Sequence, residues 1–324
     1  MDRYKTIDAF RGIAILGMIF FTVTLRLSSD LPDLLRHNVW GRLHLGDFIL
    51  PMFLFASGLS LAFFIKKREK LKTSEFFKDV FIRFIKLGLI GILLSFFSAY
   101  GFLEMDEVML CAILFIMCII INKLDWKILM VIILLINISY LIIIHLGWDD
   151  IFIGHYLGGY PAALYYLPIM LTGLIIGKGI ILKGLWCKTN KIAIALIFVL
   201  FLVFSIFVPI NKMTASSSFI LFSIIFSFGF FVFIEWILND LDLFKKLEYI
   251  GRKPLRYWIL MYIFFIIPLW FYIRETGESI PLQINWIVGT IFSLFLIILL
   301  LIMSYIIEYI KIKYKTFNHS QLLF

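Results

Sequence analysis

The chain has 324 residues, of which 62% are hydrophobic, 18% aromatic and 16% charged, with a formal net charge of +9. That apolar share is far above the roughly half of an ordinary soluble domain. It is arranged in runs of about 20 residues that each match a hydrocarbon core about 30 Å thick, which excludes a water-soluble fold and implies an integral membrane protein. The Lys and Arg excess falls in short loops between those runs, where it sets orientation, and so does not point to nucleic acid.

In chain order, ten spans are predicted, at about 10–27, 47–65, 80–98, 107–122, 128–147, 161–181, 191–209, 217–238, 255–273 and 284–310. The implied class is an all-α polytopic membrane protein with one domain over 1–324. The first span has the charged start and apolar middle of a signal peptide. Asp8 and Arg11 intrude on it and no small-x-small site follows, so it reads as retained. With the N-terminus inside, 25 Lys and Arg collect on the cytoplasmic side, while the outer side keeps 5: Arg26, Arg36, Arg42, Lys212 and Arg274. This asymmetry predicts that both termini are cytoplasmic and that 36–46 lies outside. Cys111, Cys118 and Cys187 form no C-x-x-C or Cys/His cluster, so neither a disulfide framework nor a metal site is expected. No Gly-rich phosphate loop of the G-x-x-x-x-G-K-S/T type occurs, and internal repeats are not evident.

The first span opens with IDAFRGIAILG, residues 7–17. Asp8 and Arg11, three apart, share a helical face, and Gly12 and Gly17 allow a second helix to approach. The ion pair reads either as a structural clamp or, through Arg11, as a hold on an anionic cofactor group. The loop that follows and the start of the next span read RHNVWGRLHLGDFILPMFLFASG, residues 36–58. His37 carries an imidazole, a side chain whose unperturbed pKa lies near neutrality, and so suits a general base. Trp40 packs a sugar ring or anchors at the interface, and Asp47 caps the next helix or orients an imidazole. His44, seven residues after His37, is a second candidate on the same face. About 27 Å of helix separates Asp8 from Arg26, so Asp8 and Arg11 belong to the side opposite His37.

Basic clusters mark the cytoplasmic side: KKREKLK at 66–72, Arg83 with Lys86, and GRKPLRYW at 251–258, which carries Arg252, Lys253 and Arg256. The first obeys the orientation rule. The other two crowd helix mouths, where guanidinium and ammonium groups can grip phosphate oxygens. Asn137, His145 and Glu235 are scattered singly and read as contacts between helices or at the interface. In HYLGGYPAALYYLPIMLTGLIIG, 155–177, Gly173 and Gly177 favour close packing of the sixth span, and His155 opens onto the same outer face as His37.

IDAFRGIAILGMIFF followed by HNVWGRLHLGDFILPMFLFASGLSLAF resembles the heparan-α-glucosaminide N-acetyltransferase family, part of a wider group of transmembrane acyltransferases. The similarity is dense over about 7–64: D-x-F-R-G, H-x-x-W, an aspartate ten positions after the histidine and a proline four after the aspartate. It is looser from Pro168 to Gly177 and in IGRKPLRYWIL. The resemblance implies transfer of an acetyl group from cytoplasmic acetyl-CoA to an acceptor across the membrane, with the family's active-site histidine at His37. A family asparagine falls on Thr22 here, and the interval from there to the histidine is four residues longer.

The expectation is therefore a transmembrane acyltransferase. The acetyl-CoA phosphates would be held by Arg83, Lys86, Arg252, Lys253 and Arg256, with Arg11 at the neck of a tunnel. His37 would be general base toward an amine or hydroxyl of a sugar, and Asp47 would fix its tautomer, with a transient acyl-histidine as the variant. Trp40, His44 and His155 would bind the acceptor. Expected partners are acetyl-CoA, an extracytoplasmic glycan or glycolipid and membrane lipid, with a homodimer allowed and neither metal nor nucleic acid involved. The rival classes are a transporter or lipid flippase, whose polar residues would gather at the midplane rather than at the two faces, and a structural membrane partner with docking loops.

Overall fold

The structure is a computed structural model that describes residues 4–35, 43–97, 105–148, 159–237, 242–277, 280 and 282–321. Among them the regular structure is helical: α1 (Lys5–Leu27), α2 (Leu45–Lys67), α3 (Thr73–Ser95), α4 (Glu107–Ile121), α5 (Trp126–His145), α6 (Gly159–Lys183), α7 (Lys188–Phe207), α8 (Ser217–Ile237), α9 (Asp242–Gly251), α10 (Pro254–Met261), α11 (Ile267–Thr276) and α12 (Trp286–Gln321). A π-turn at Tyr262–Ile266 joins α10 to α11 in one continuous rod, Pro254–Thr276.

Each of the ten predicted spans falls on a helix, but among the described residues eight helices are both long and apolar enough to cross a membrane. The other two are α3 and α4. Helix α4 has 15 residues and rises only about 22 Å. Helix α3 starts well before the predicted 80, because Glu75, Lys78 and Asp79 extend it as a charged, exposed first stretch. The sequence reading left 239–254 as a loop, yet it contains α9. There Phe244, Leu247 and Ile250 recur at helical spacing and bury against α1, while Lys245 and Lys246 stay exposed.

Helices α1, α2, α6 and α8 form the centre. The backbones of α2 and α6 touch and run in the same direction, with Phe55 facing Gly173 and Ala62 facing Gly177. A Cβ on Gly58 would overlap the carbonyl oxygen of Met170, and one on Gly173 would overlap that of Phe55. Around this centre, α3, α5, α7 and α12 turn large apolar side chains outward. Examples are Phe81 at 63% exposure, Ile206 at 77% and Phe295 at 59%, as lipid-facing surfaces require.

Two ends can be told apart by charge. The basic end carries the start of α1, the end of α2, α9 and the far part of α12, where Lys253 and Arg256 meet Glu308. At the opposite end α12 begins against the close of α1, with Leu282 N donating to Arg26 O at 3.0 Å and Ile284 N to Leu27 O at 3.2 Å.

Candidate active site

A cavity of about 370 Å³ starts at the basic end among α1, α2, α3 and α10 and reaches inward to α4 and α6. Along α2 it runs from Phe64 to Phe53, about 16 Å of helix. Three cations, Arg11, Arg83 and Lys86, stand at its basic end. Its walls are mainly apolar, with Ile15, Met18, Leu61, Val108 and Met170 among them, and Glu107 lines its far end. This arrangement suits a ligand with an anionic head and a long, weakly polar arm.

Arg11 is positioned by three elements. Its Nε donates to Gly251 O at 2.6 Å, Nη1 to Ser60 Oγ at 3.1 Å and Nη2 to Asp8 Oδ1 at 2.6 Å. The contact is close because Gly251 lies directly on Asp8, where a Cβ would overlap the Asp8 carbonyl. The Asp8–Arg11 pair is thus a clamp between α1, α2 and α9, and Arg11 also faces the cavity. The Arg83 guanidinium stacks 4.3 Å from the Phe64 ring centroid. Among the described residues neither Arg83 nor Lys86 is in an ion pair. The other predicted phosphate ligands stand apart from these. Arg252 is paired with Glu248, while Lys253 and Arg256 both reach Glu308, at 2.5 and 3.0 Å. The cavity is lined next to them by Pro254, Leu255 and Trp258 instead.

Beyond the far end of the cavity, Asp47 lies fully buried in the first turn of α2. Its Oδ2 accepts from His44 N at 3.0 Å, and its Oδ1 lies 3.2 Å from Lys212 Nζ, a side chain only 12% exposed. Burial pushes the Lys212 ammonium down from its ordinary pKa, and the Asp47 charge opposes that. The loop between α7 and α8 is built to place this lysine. Asn211 N donates to Ser216 Oγ at 2.8 Å, Ser216 N donates back to Asn211 O at 2.9 Å, and buried Ala215 takes φ +51°, a region that L-residues seldom occupy. Glu107, 8% exposed, adds its charge to the field at Lys212, and the buried Tyr166 hydroxyl sits in the field of both Asp47 and Glu107. That hydroxyl has no hydrogen-bond partner among the described residues. In the turn before α4, Asp106 Oδ1 accepts from Met109 N at 2.8 Å and Oδ2 has no partner among the described residues. Burial, and secondly the Glu107 charge, push its pKa up to about 7.

His44 is the residue preceding α2, at the same end as Asp47. His37, Trp40 and His155 lie outside the described residues. Of the three isolated polar residues, Glu235 accepts from Tyr4 Oη at 2.7 Å and Asn137 bonds its own helix at Ile133 O, both structural contacts, while His145 ends α5. The sequence reading missed Glu107, Tyr166 and the role of Lys212. The available signal was weak: an Asp-Glu pair opening the shortest apolar run, and one of only five basic residues assigned outside.

The family model described as heparan-alpha-glucosaminide N-acetyltransferase, catalytic, matches residues 3–181. No curated protein matches the chain. The matched stretch carries Arg11, Asp47, Arg83, Lys86, Glu107 and Tyr166, whereas Lys212 and the Arg252–Arg256 cluster follow it. Because the match spans more than half of the sequence, the chain belongs to the heparan-alpha-glucosaminide N-acetyltransferase catalytic family, a family of membrane acetyltransferases.

Proposed function

We propose that this single-domain protein moves an acetyl group from cytoplasmic acetyl-CoA to an amine or hydroxyl of an extracytoplasmic sugar or glycoconjugate, with the basic end and both termini in the cytoplasm. One observation carries the reading: the cavity joins a group of cations to the buried Glu107 carboxylate near the opposite end. Positive charge at the loops supports the orientation.

The anionic head of acetyl-CoA would meet Arg83 and Lys86, whose charges are not committed to an ion pair, and Arg11 at the neck. Arg252, Lys253 and Arg256 would join by exchanging Glu248 and Glu308 for phosphate oxygens. The arm would follow the apolar walls and bring the thioester toward Glu107. The acceptor would enter from outside, past Trp40, His44 and His155. His37 would take the proton from its amine or hydroxyl as that atom attacks the thioester carbonyl. As the tetrahedral carbon collapses to the acetylated product, the C–S bond breaks and the departing sulfur takes back the proton held by His37, so that the thiol leaves into the cavity. Asp47, anchored by His44 and Lys212, would fix the imidazole tautomer.

The test is His37→Ala in purified, reconstituted protein. Acetyl-CoA binding by calorimetry should persist, and acetyl transfer to a glucosamine-containing acceptor should fall by about 10² to 10⁴. Full transfer activity in that variant would remove the general base from the mechanism, and failure of the parent protein to bind acetyl-CoA would remove the donor.

A further inference from the structure

A second cavity, of about 730 Å³, opens at the basic end between α2, α3, α4 and α6 and shares no lining residue with the first. Phe64 stands between them. Arg83, on the side of the first cavity, and Arg68, on the side of the second, lie 4.3 and 4.0 Å from its ring centroid. The second cavity is lined by four cations, Lys66, Arg68, Lys123 and Lys178, and by one carboxylate, Glu69, which leaves a net charge of +3 on its wall. Two of the four are partly neutralised, since Lys66 pairs with Glu69 at 2.5 Å and Arg68 with Asp79 at 2.8 Å. Among the described residues, Lys123 and Lys178 are in no ion pair. Lys178 Nζ spends one N–H on Asn122 O, the last carbonyl of α4, and keeps two more.

The apolar part of the same wall is equally informative. Ile119, Ile120 and Phe77 lie about one helical turn further from the basic end than Lys123 and Thr73. Ile120 is 72% exposed and Phe77 54%, so the rim below the cations faces the surrounding lipid rather than the protein interior.

From this pairing of unneutralised cations with an outward apolar rim we infer that the second cavity binds the phosphate headgroup of an anionic glycerophospholipid from the leaflet at the basic end, with the acyl chains lying along Ile120 and Phe77. The inference does not rest on the acetyl-CoA reading. A phosphate ester is the shared chemistry of two sources, the lipid and the nucleotide end of coenzyme A. The outward rim and the Phe64 partition favour the lipid.

The experiment uses the full chain in a neutral detergent, with phosphatidylglycerol or phosphatidylcholine added at equal concentrations and thermal unfolding as the readout. Phosphatidylglycerol should raise the unfolding temperature more than phosphatidylcholine does, and the difference should shrink with added salt. Lys123→Ala with Lys178→Ala, the two lining cations in no ion pair among the described residues, should raise the half-saturating phosphatidylglycerol concentration roughly 25-fold, about fivefold for each cation removed, and Lys123→Arg with Lys178→Arg should restore it. Acetyl-CoA affinity should be unchanged in the alanine pair. Equal responses to the two lipids, or a parent-like phosphatidylglycerol response in the alanine pair, would overturn the proposal. A loss of acetyl-CoA binding in that pair would also overturn it, by assigning the cavity to the nucleotide.

Discussion

Replacing Asp47 by Asn tests whether the buried Asp47–Lys212 pair is a unit. Asn retains the size and a capping oxygen, so if Asp47 served only as an N-terminal partner of α2 the change would cost about 1 kcal/mol or less. The geometry requires more. Asp47 is fully buried and Lys212 12% exposed, at 3.2 Å, and removing one member of such a pair takes the main countercharge from the other, at about 3 to 5 kcal/mol. Burial already lowers the Lys212 pKa, so in Asp47→Asn, with the opposing Asp47 charge gone, this lysine should lose its proton at lower pH than in the parent and the penalty should ease as pH rises. Lys212→Met should be destabilising for the complementary reason, the stranded Asp47 carboxylate. Removing both charges should cost less than the sum of the two changes by at least about 2 kcal/mol. The assay is thermal unfolding of the four proteins in detergent at pH 6 and pH 9. Additive effects within about 0.5 kcal/mol would refute the coupling. Because the pair anchors the carboxylate assigned to His37, acetyl transfer should follow the same pattern.

Glu107→Gln should leave acetyl-CoA affinity within about twofold, since the phosphate contacts proposed for Arg83 and Lys86 are at the other end of the cavity, while lowering acetyl transfer about 10-fold to 100-fold; an unchanged rate in the reconstituted assay would exclude Glu107 from the chemistry. Arg83→Ala with Lys86→Ala should weaken acetyl-CoA binding about 10-fold to 100-fold per lost contact by calorimetry. Arg252→Ala with Arg256→Ala should do less, and the reverse order would place the phosphates at α10. Asp106 holds a proton in the fold up to about pH 7 that the unfolded chain releases near pH 4. Its contribution is therefore fully present below about pH 4 and is lost as pH rises to about 7, by roughly 4 kcal/mol at most. Asp106→Asn should flatten that part of the stability profile, and a parent-like slope would show that another group titrates there.

The spans were legible because a hydrocarbon core imposes one length and one polarity on any helix that crosses it, and neither depends on packing. Helix α9 was not, since ten residues with two exposed lysines look like a loop until α1 offers the surface that buries Phe244, Leu247 and Ile250. Arg11 was marked by its depth in an apolar run. Whether it acts as a clamp or as a ligand depended on where Gly251 and Ser60 arrive, and they are supplied by distant parts of the chain. Lys212 counted as one more orientation charge because nothing local distinguishes it; its meaning comes from the turn that Asn211, Ser216 and Ala215 build and from the neighbouring start of α2. Similarly, the two cation groups that looked equivalent on paper differ once Glu248 and Glu308 are seen to occupy one of them.

The contact of α2 with α6 has a mechanical consequence. Two backbones pressed together through Gly58 and Gly173 cannot slide or part without breaking a long seam, and α6 is buried along most of its length. Facing them across the first cavity is α3, of which only Val80, Gly91, Leu94 and Ser95 are buried. One wall of the chamber is therefore a fixed jamb, while the other is held mainly through the far half of α3, so any widening of the cavity mouth would be expected to come from the Arg83 side rather than from the α2–α6 seam.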